Sequence, residues 1–146
     1  MELRFPLFID LRGKKAVVIG GGAIGLRRAE VLARFGAAVT VVSPALHHSV
    51  EGVVHIPRPY RPGDLEGALL AVAATDDRSV NQAVTEEARS RGVPISVADR
   101  QEDCDFFFPA ICEGPGLVAG VAGDGRDHRK TAEAARRIRQ VLEELV

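Results

Sequence analysis

Val17-Val18-Ile19-Gly20-Gly21-Gly22-Ala23-Ile24-Gly25-Leu26 is the stretch on which the fold turns. An apolar run enters it, glycines 20, 22 and 25 carry the spacing G-x-G-x-x-G, and a helical pattern leaves it. In a strand–turn–helix context each glycine has a physical task. Gly20 permits the tight turn, Gly22 lets the backbone approach a pyrophosphate, and Gly25 lets helix and strand pack closely. Ala23, Ile24 and Gly25 then lead into a helix whose N-terminus supplies unpaired N–H groups to the phosphates. A purely structural glycine turn is the alternative, and the rest of the chain has to separate the two.

Working outward, Lys15–Ile19 reads as the first strand and Leu26–Phe35 as a helix with Ala29, Leu32 and Phe35 inward, stopped by Gly36. Ala38–Val42 is the second strand. A loop carrying Pro57, Pro59 and Pro62 and a turn at Asp64–Gly67 lead to the buried strand Leu69–Ala74. Asp76 or Asp77 caps the next helix, whose inward face is Val80, Ala83, Val84 and Ala88 and whose end is Arg91-Gly92. Val93–Ala98 is a further strand, ending at Asp99. Short apolar strands alternating with helical patterns predict parallel strands joined by right-handed crossovers. Beyond them, Phe106-Phe107-Phe108 and Leu117–Ala122 flank Glu113-Gly114-Pro115-Gly116 as a hairpin. A helix over Thr131–Leu145 follows, with Ala134, Ile138, Val141, Leu142 and Leu145 on one stripe.

Composition narrows the function classes. With 146 residues, 46% of them hydrophobic, the chain can bury one core and a small appendage. Its 19 basic and 20 acidic residues create no general field for nucleic acid or an anionic membrane, so an anionic ligand must be held locally. No apolar run approaches the roughly 18 residues of a membrane span, and Met1–Asp10 lacks the features of a signal peptide, so a cytoplasmic protein is expected. Cys104 and Cys112 match neither a disulfide framework nor a zinc knuckle and read as ordinary thiols. His47, His48, His55 and His128 form no metal-binding pair and read as surface residues, so no metal site is expected.

The end of the second strand departs from the usual dinucleotide pattern. An acid is expected about 20 residues past the glycines to bond the ribose hydroxyls, and Ser43 stands there instead. Serine can still bond the ribose, which leaves the choice between NAD and NADP open. Arg27 and Arg28 are close enough in sequence to serve a 2′-phosphate, and a surface role suits them better.

Several stretches occurring in order resemble one family. These are Phe5-Pro6-Leu7-Phe8-Ile9-Asp10-Leu11, the glycine loop, Val41-Val42-Ser43-Pro44, Ala73-Ala74-Thr75-Asp76-Asp77 with Val80-Asn81, Val97-Ala98-Asp99, and Cys104-Asp105-Phe106-Phe107-Phe108-Pro109-Ala110. Together they resemble the N-terminal domain of siroheme synthase, a precorrin-2 dehydrogenase that in some members is also a sirohydrochlorin ferrochelatase. The resemblance runs from about Phe5 to Ala122 and implies NAD-dependent oxidation of the tetrapyrrole precorrin-2 to sirohydrochlorin, with Fe2+ as a further substrate where chelation is retained. It implies a Rossmann-like parallel sheet with helices on both faces over residues 1–109. A dimerisation segment and C-terminal helix over 110–146 would then form a homodimer.

In that family an aspartate at the end of the fifth strand acts in the chemistry, and the matching position is Asp99. A carboxylate beside the nicotinamide can take the proton that accompanies hydride loss. A cap on the turn at Arg100-Gln101-Glu102 is the plainer role for it. Thr75, Asp76 and Asn81 face the same sheet edge. The resemblance places Thr75 and Asp76 beside the cofactor, although helix capping would also account for Asp76. Cys104 and Asp105 need only packing or turn roles. Arg100, Arg126, Arg129 and Lys130 are candidates to grip the carboxylates of the substrate.

The stretch Ala122–Lys130 departs from the Ser-Pro-containing segment of many relatives, and fuller relatives continue past the position of Val146 into a helical domain that helps enclose the tetrapyrrole. A non-catalytic NAD-binding sensor or tethering module is therefore the alternative function. A chelatase without redox function is a weaker one, because it has no use for the glycine loop.

Overall fold

The computed structural model describes residues 3–145. Two compact units divide the chain, one spanning Ile9–Phe106 and the other built from the segments on either side of it. In the larger unit β1 (Lys15–Ile19), β2 (Ala38–Val42), β3 (Val53–Ile56), β4 (Leu70–Ala73) and β5 (Ile95–Val97) form one sheet in the order β3-β2-β1-β4-β5. All four pairings are parallel. The order runs outward from β1 in both directions, which makes the gap between β1 and β4 the topological switch point.

The register follows from the apolar runs. Ile19 stands opposite Val42 on one side and Ala73 on the other, so β1, β2 and β4 end level. β4 is buried at every position, as a central parallel strand covered on both faces must be. Right-handed crossovers leaving β1 and β4 in opposite directions put α1 (Ala23–Arg34) and α2 (Arg78–Arg91) on opposite faces of the sheet. On one face Val17, Ile19, Ala71, Ala73, Ile95 and Val97 pack with Val84 and Ala88 of α2. Alternation along β1 turns the buried Ala16 and Val18 to the other face, the side on which Leu26, Ala29 and Leu32 of α1 are buried.

Both helices stop at glycines. Gly36 has φ +94° and donates to the Ala33 carbonyl, while Ala37 donates to Leu32; Gly92 closes α2 at φ +67°. In the larger unit the structure departs from the sequence expectations at several elements. α1 begins at Ala23 rather than Leu26: Gly22 is its extended N-cap, and the first helical hydrogen bond already runs from the Leu26 amide to the Gly22 carbonyl. Phe35 does not point inward: it is the C-cap, half-buried, with the Arg34 guanidinium 5.4 Å over its ring. β3 falls within a stretch expected to be loop. It is a four-residue edge strand bounded by Pro57, too short to show a period. On α2, Ala83 is exposed, and Asn81 and Thr85 are buried in its place, because both polar side chains find partners inside.

In the smaller unit β6 (Ala110–Gly114) and β7 (Leu117–Val121) pair antiparallel through Pro115-Gly116, with Gly116 at φ +71°. The partner of β7 is thus Ala110–Gly114, not the phenylalanine run, since the two-residue turn sets Gly114 opposite Leu117. α3 (His128–Glu144) begins three residues earlier than expected, where Asp127 accepts from the Lys130 amide at 3.0 Å. It buries Ala135 and Leu142 against Cys112, with Ile138 partly buried beside them; Val141 and Leu145 of the expected stripe are exposed. Among the described residues no helix is long and apolar enough to cross a membrane.

Candidate dinucleotide and proton-transfer site

The site grows from the carboxyl ends of β1, β4 and β5. Gly20 leaves β1 at φ +124°, and a Cβ there would collide with the Ala74 carbonyl. Gly25 lies so near that a Cβ would come within 2.5 Å of the Gly20 oxygen. Both glycines are therefore obligatory for the close packing of strand, turn and helix. Gly21, absent from the sequence pattern, is equally constrained: a Cβ would strike the Ala45 carbonyl and come within 2.6 Å of Ser43 Oγ.

Gly22 is different in kind. A Cβ there would meet nothing within 4 Å, so packing within the fold does not require a glycine at this position. It is the N-cap of α1, and no side chain caps that end. Helix geometry leaves the amides of Ala23, Ile24 and Gly25 without intrahelical acceptors, and no acidic residue stands in the first turn. Open space above unpartnered N–H groups and the positive end of a helix is a fitting cradle for a pyrophosphate.

Ser43, at the end of β2, is 8% exposed, and its hydroxyl donates to the Ala45 carbonyl at 2.6 Å. That bond closes the turn against which Gly21 packs. His55 is no surface residue. It is half-buried on β3 with Nε2 2.7 Å from the Ser43 carbonyl oxygen, a contact that appears only once β3 joins the sheet. Arg27 is exposed, whereas Arg28 is half-buried and donates to Ser96 Oγ at 3.3 Å, with burial pulling its pKa down.

At the end of β4, Thr75 is clamped by Asn81. Its amide and hydroxyl both meet Asn81 Oδ1, at 3.1 and 2.7 Å, and Asn81 Nδ2 donates back to the Thr75 carbonyl at 3.1 Å. Asp76 is exposed beside it. Asp77, not Asp76, caps α2: its Oδ1 accepts from the Ser79 amide and hydroxyl, which hold the carboxyl below its ordinary pKa.

Asp99 follows β5 on the same edge. Arg78 Nη1 donates to its Oδ1 at 2.8 Å, and both side chains are somewhat more than one-third exposed. Nothing in the sequence pairs these two residues. Arg100 is drawn toward Glu102 and Asp103, at 3.3 and 3.2 Å. Cys104 and Asp105 fasten β5, Cys104 to the Val97 backbone and Asp105 to Ile95. Both cysteines are free, Cys112 being buried and donating to Ala135. Arg126, Arg129 and Lys130 belong to the smaller unit, with Arg126 4.0 Å from Asp124.

A doubly wound parallel sheet with an uncapped glycine turn at its switch point defines the class: a dinucleotide-binding domain. Residues 7–110 match the family model described as putative NAD(P)-binding, and the chain belongs to that family. It is 41% identical over 145 residues to the probable multifunctional siroheme biosynthesis protein HemA of Ruminiclostridium josui, covering 94% of this chain and 28% of that protein. It is also 41% identical over 126 residues to the siroheme synthase of Methylobacillus flagellatus, covering 82% and 27%. The chain thus spans about a quarter of the length of these curated relatives. Among solved structures, SirC, precorrin-2 dehydrogenase, superposes with a TM-score of 0.76 at 24% identity, covering 97% of this chain and 72% of that one. This likeness is one of fold.

Proposed function

We propose that the chain is an NAD-dependent precorrin-2 dehydrogenase of siroheme biosynthesis, working as a cytoplasmic homodimer. The observation that carries the reading is the sharing of one sheet edge by the cradle at Gly20–Gly25 and the carboxylate of Asp99. Two strand spacings, about 10 Å, separate β1 from β5. A dinucleotide whose pyrophosphate lies at β1 extends across that interval, which brings its nicotinamide half toward Asp99. The ordered motifs and the siroheme-biosynthesis names of the relatives support the same substrate.

When bound, oxidised nicotinamide supplies the hydride acceptor. The amides of Ala23, Ile24 and Gly25 would hold the pyrophosphate, Gly22 would keep its approach clear, and Gly20 sets the turn that presents them. Ser43 would meet the ribose with its hydroxyl oxygen as an acceptor, and Thr75 and Asp76 would line the edge between the cradle and Asp99. Asp99 takes the proton that precorrin-2 releases as the hydride departs, so one substrate C–H pair of electrons leaves with the hydride and the products balance as sirohydrochlorin, reduced cofactor and H+.

An anaerobic assay of the purified chain with precorrin-2 tests this, following reduced nicotinamide and the sirohydrochlorin spectrum, with NAD and NADP in parallel cuvettes and Fe2+ added afterwards to detect chelation. Turnover with NAD is expected. Asp99→Ala should lower kcat by about 10²–10⁴ while NAD affinity is kept. Measurable NAD binding without turnover would overturn the reading in favour of a sensor or tethering module.

A further inference from the structure

We infer that Arg78 is the positioning residue for Asp99, an inference that rests on the dehydrogenase reading above. Arg78 is the first residue of α2, directly after the Asp77 cap. A cation is unfavourable at the positive end of a helix, and the adjacent Asp77 carboxylate is engaged in capping the Ser79 and Val80 amides. The local preference of the helix is thus broken at a residue that reaches the proposed base, and such a break commonly marks a functional position.

The guanidinium is held from three segments. Nη1 donates to Asp99 Oδ1 at 2.8 Å, Nη2 donates to Gln82 Oε1 at 3.4 Å, and Nη2 stands 3.7 Å from Asp103 in the 3₁₀ turn over Gln101–Asp103. Asp103 is itself fixed by Arg89 at 3.5 Å and Arg100 at 3.2 Å, and the same Arg100 Nε lies 3.3 Å from Glu102. Arg78 therefore comes to Asp99 with its geometry already set, which is what orients a base. It engages one oxygen only. No hydrogen bond among the described residues reaches Asp99 Oδ2, which leaves that oxygen to face the substrate proton.

A half-exposed ion pair adds little to folding, so a structural role and a positioning role predict different results. The test uses the full chain as wild type, Arg78→Ala, Arg78→Lys, Asp99→Ala and the double variant Arg78→Ala/Asp99→Ala. Steady-state kinetics, NAD binding by calorimetry and melting temperature are read for each. Arg78→Ala should lose about tenfold in kcat with NAD affinity within about twofold and an unchanged melting temperature. Arg78→Lys keeps a cation and should recover part of the loss.

Because Arg78 acts through Asp99, removing it from the Asp99→Ala chain should change nothing further. Wild-type kcat in Arg78→Ala, or the same tenfold loss in both backgrounds, would overturn the role of Arg78 and leave the dehydrogenase standing. Absence of turnover in the wild type would overturn the dehydrogenase, and the positioning role with it.

Discussion

At the scale of single residues, the glycines of one loop separate into two kinds that a motif alone treats alike. Gly20 and Gly25 have no room for a methyl group, and Gly22 has nothing near it. Gly20→Ala should therefore destabilise the fold by about 2–4 kcal/mol, read as a lowered urea midpoint, through a collision with Ala74 and strain at φ +124°. Gly22→Asp should do the opposite. Aspartate is a preferred N-cap, so stability is kept or raised by a few tenths of a kcal/mol. Its charge would stand where the pyrophosphate is expected, and NAD affinity should fall at least about tenfold by calorimetry. A variant that melts like the wild type and binds NAD undiminished would place the cofactor elsewhere.

At the scale of elements, buried polar groups tie the helices to the strand ends and loops. Asn81, wholly buried, satisfies the amide, hydroxyl and carbonyl of Thr75. Asn81→Ala leaves the Thr75 amide and carbonyl without this partner, the hydroxyl keeping the Asp77 backbone, and should cost about 2–3 kcal/mol in urea unfolding. On the same helix Glu87 accepts from Tyr60, from the amides of Gly63 and Leu65 and from Arg91, pinning the β3–β4 loop to α2. Burial pushes the Glu87 carboxyl up, and the hydrogen bonds outweigh it, so its pKa lies below the ordinary 4.5. A depressed carboxylate contributes stability that is complete above 4.5 and is lost as pH falls through the lowered value. Melting temperature should accordingly drop on acidification in that window, and Glu87→Gln should be less stable at neutral pH with a flatter acid limb.

At the scale of the molecule, the smaller unit leaves apolar side chains in solvent. Leu117 and Val118 on β7 and Val141 and Leu145 at the end of α3 are each more than 40% exposed, apolar surface that a partner copy could cover. The homodimer we propose gives them a partner surface. Sedimentation equilibrium should return twice the chain mass, and Val118→Arg should shift the population to monomer while leaving the hairpin register intact. A monomeric wild type across the micromolar range would remove dimerisation from the proposal.

The sequence by itself determined the elements whose causes are local. β1 and β2 read correctly to the residue because short apolar runs, broken in β2 by Thr40 alone, mark strands of a covered parallel sheet, and Gly36 and Gly92 end their helices because a left-handed cap favours glycine. The glycine spacing was legible for the same reason, since turn, approach and packing all act within six residues. Tertiary structure alone decided which polar residues go inside and which charges meet. Asn81 is buried in place of Ala83 because Thr75 waits at the end of another element, and β3 becomes a strand only because β2 offers it an edge. Arg78 reaches Asp99 across 21 positions, where side-chain geometry in the folded chain, and no periodicity along it, sets the contact.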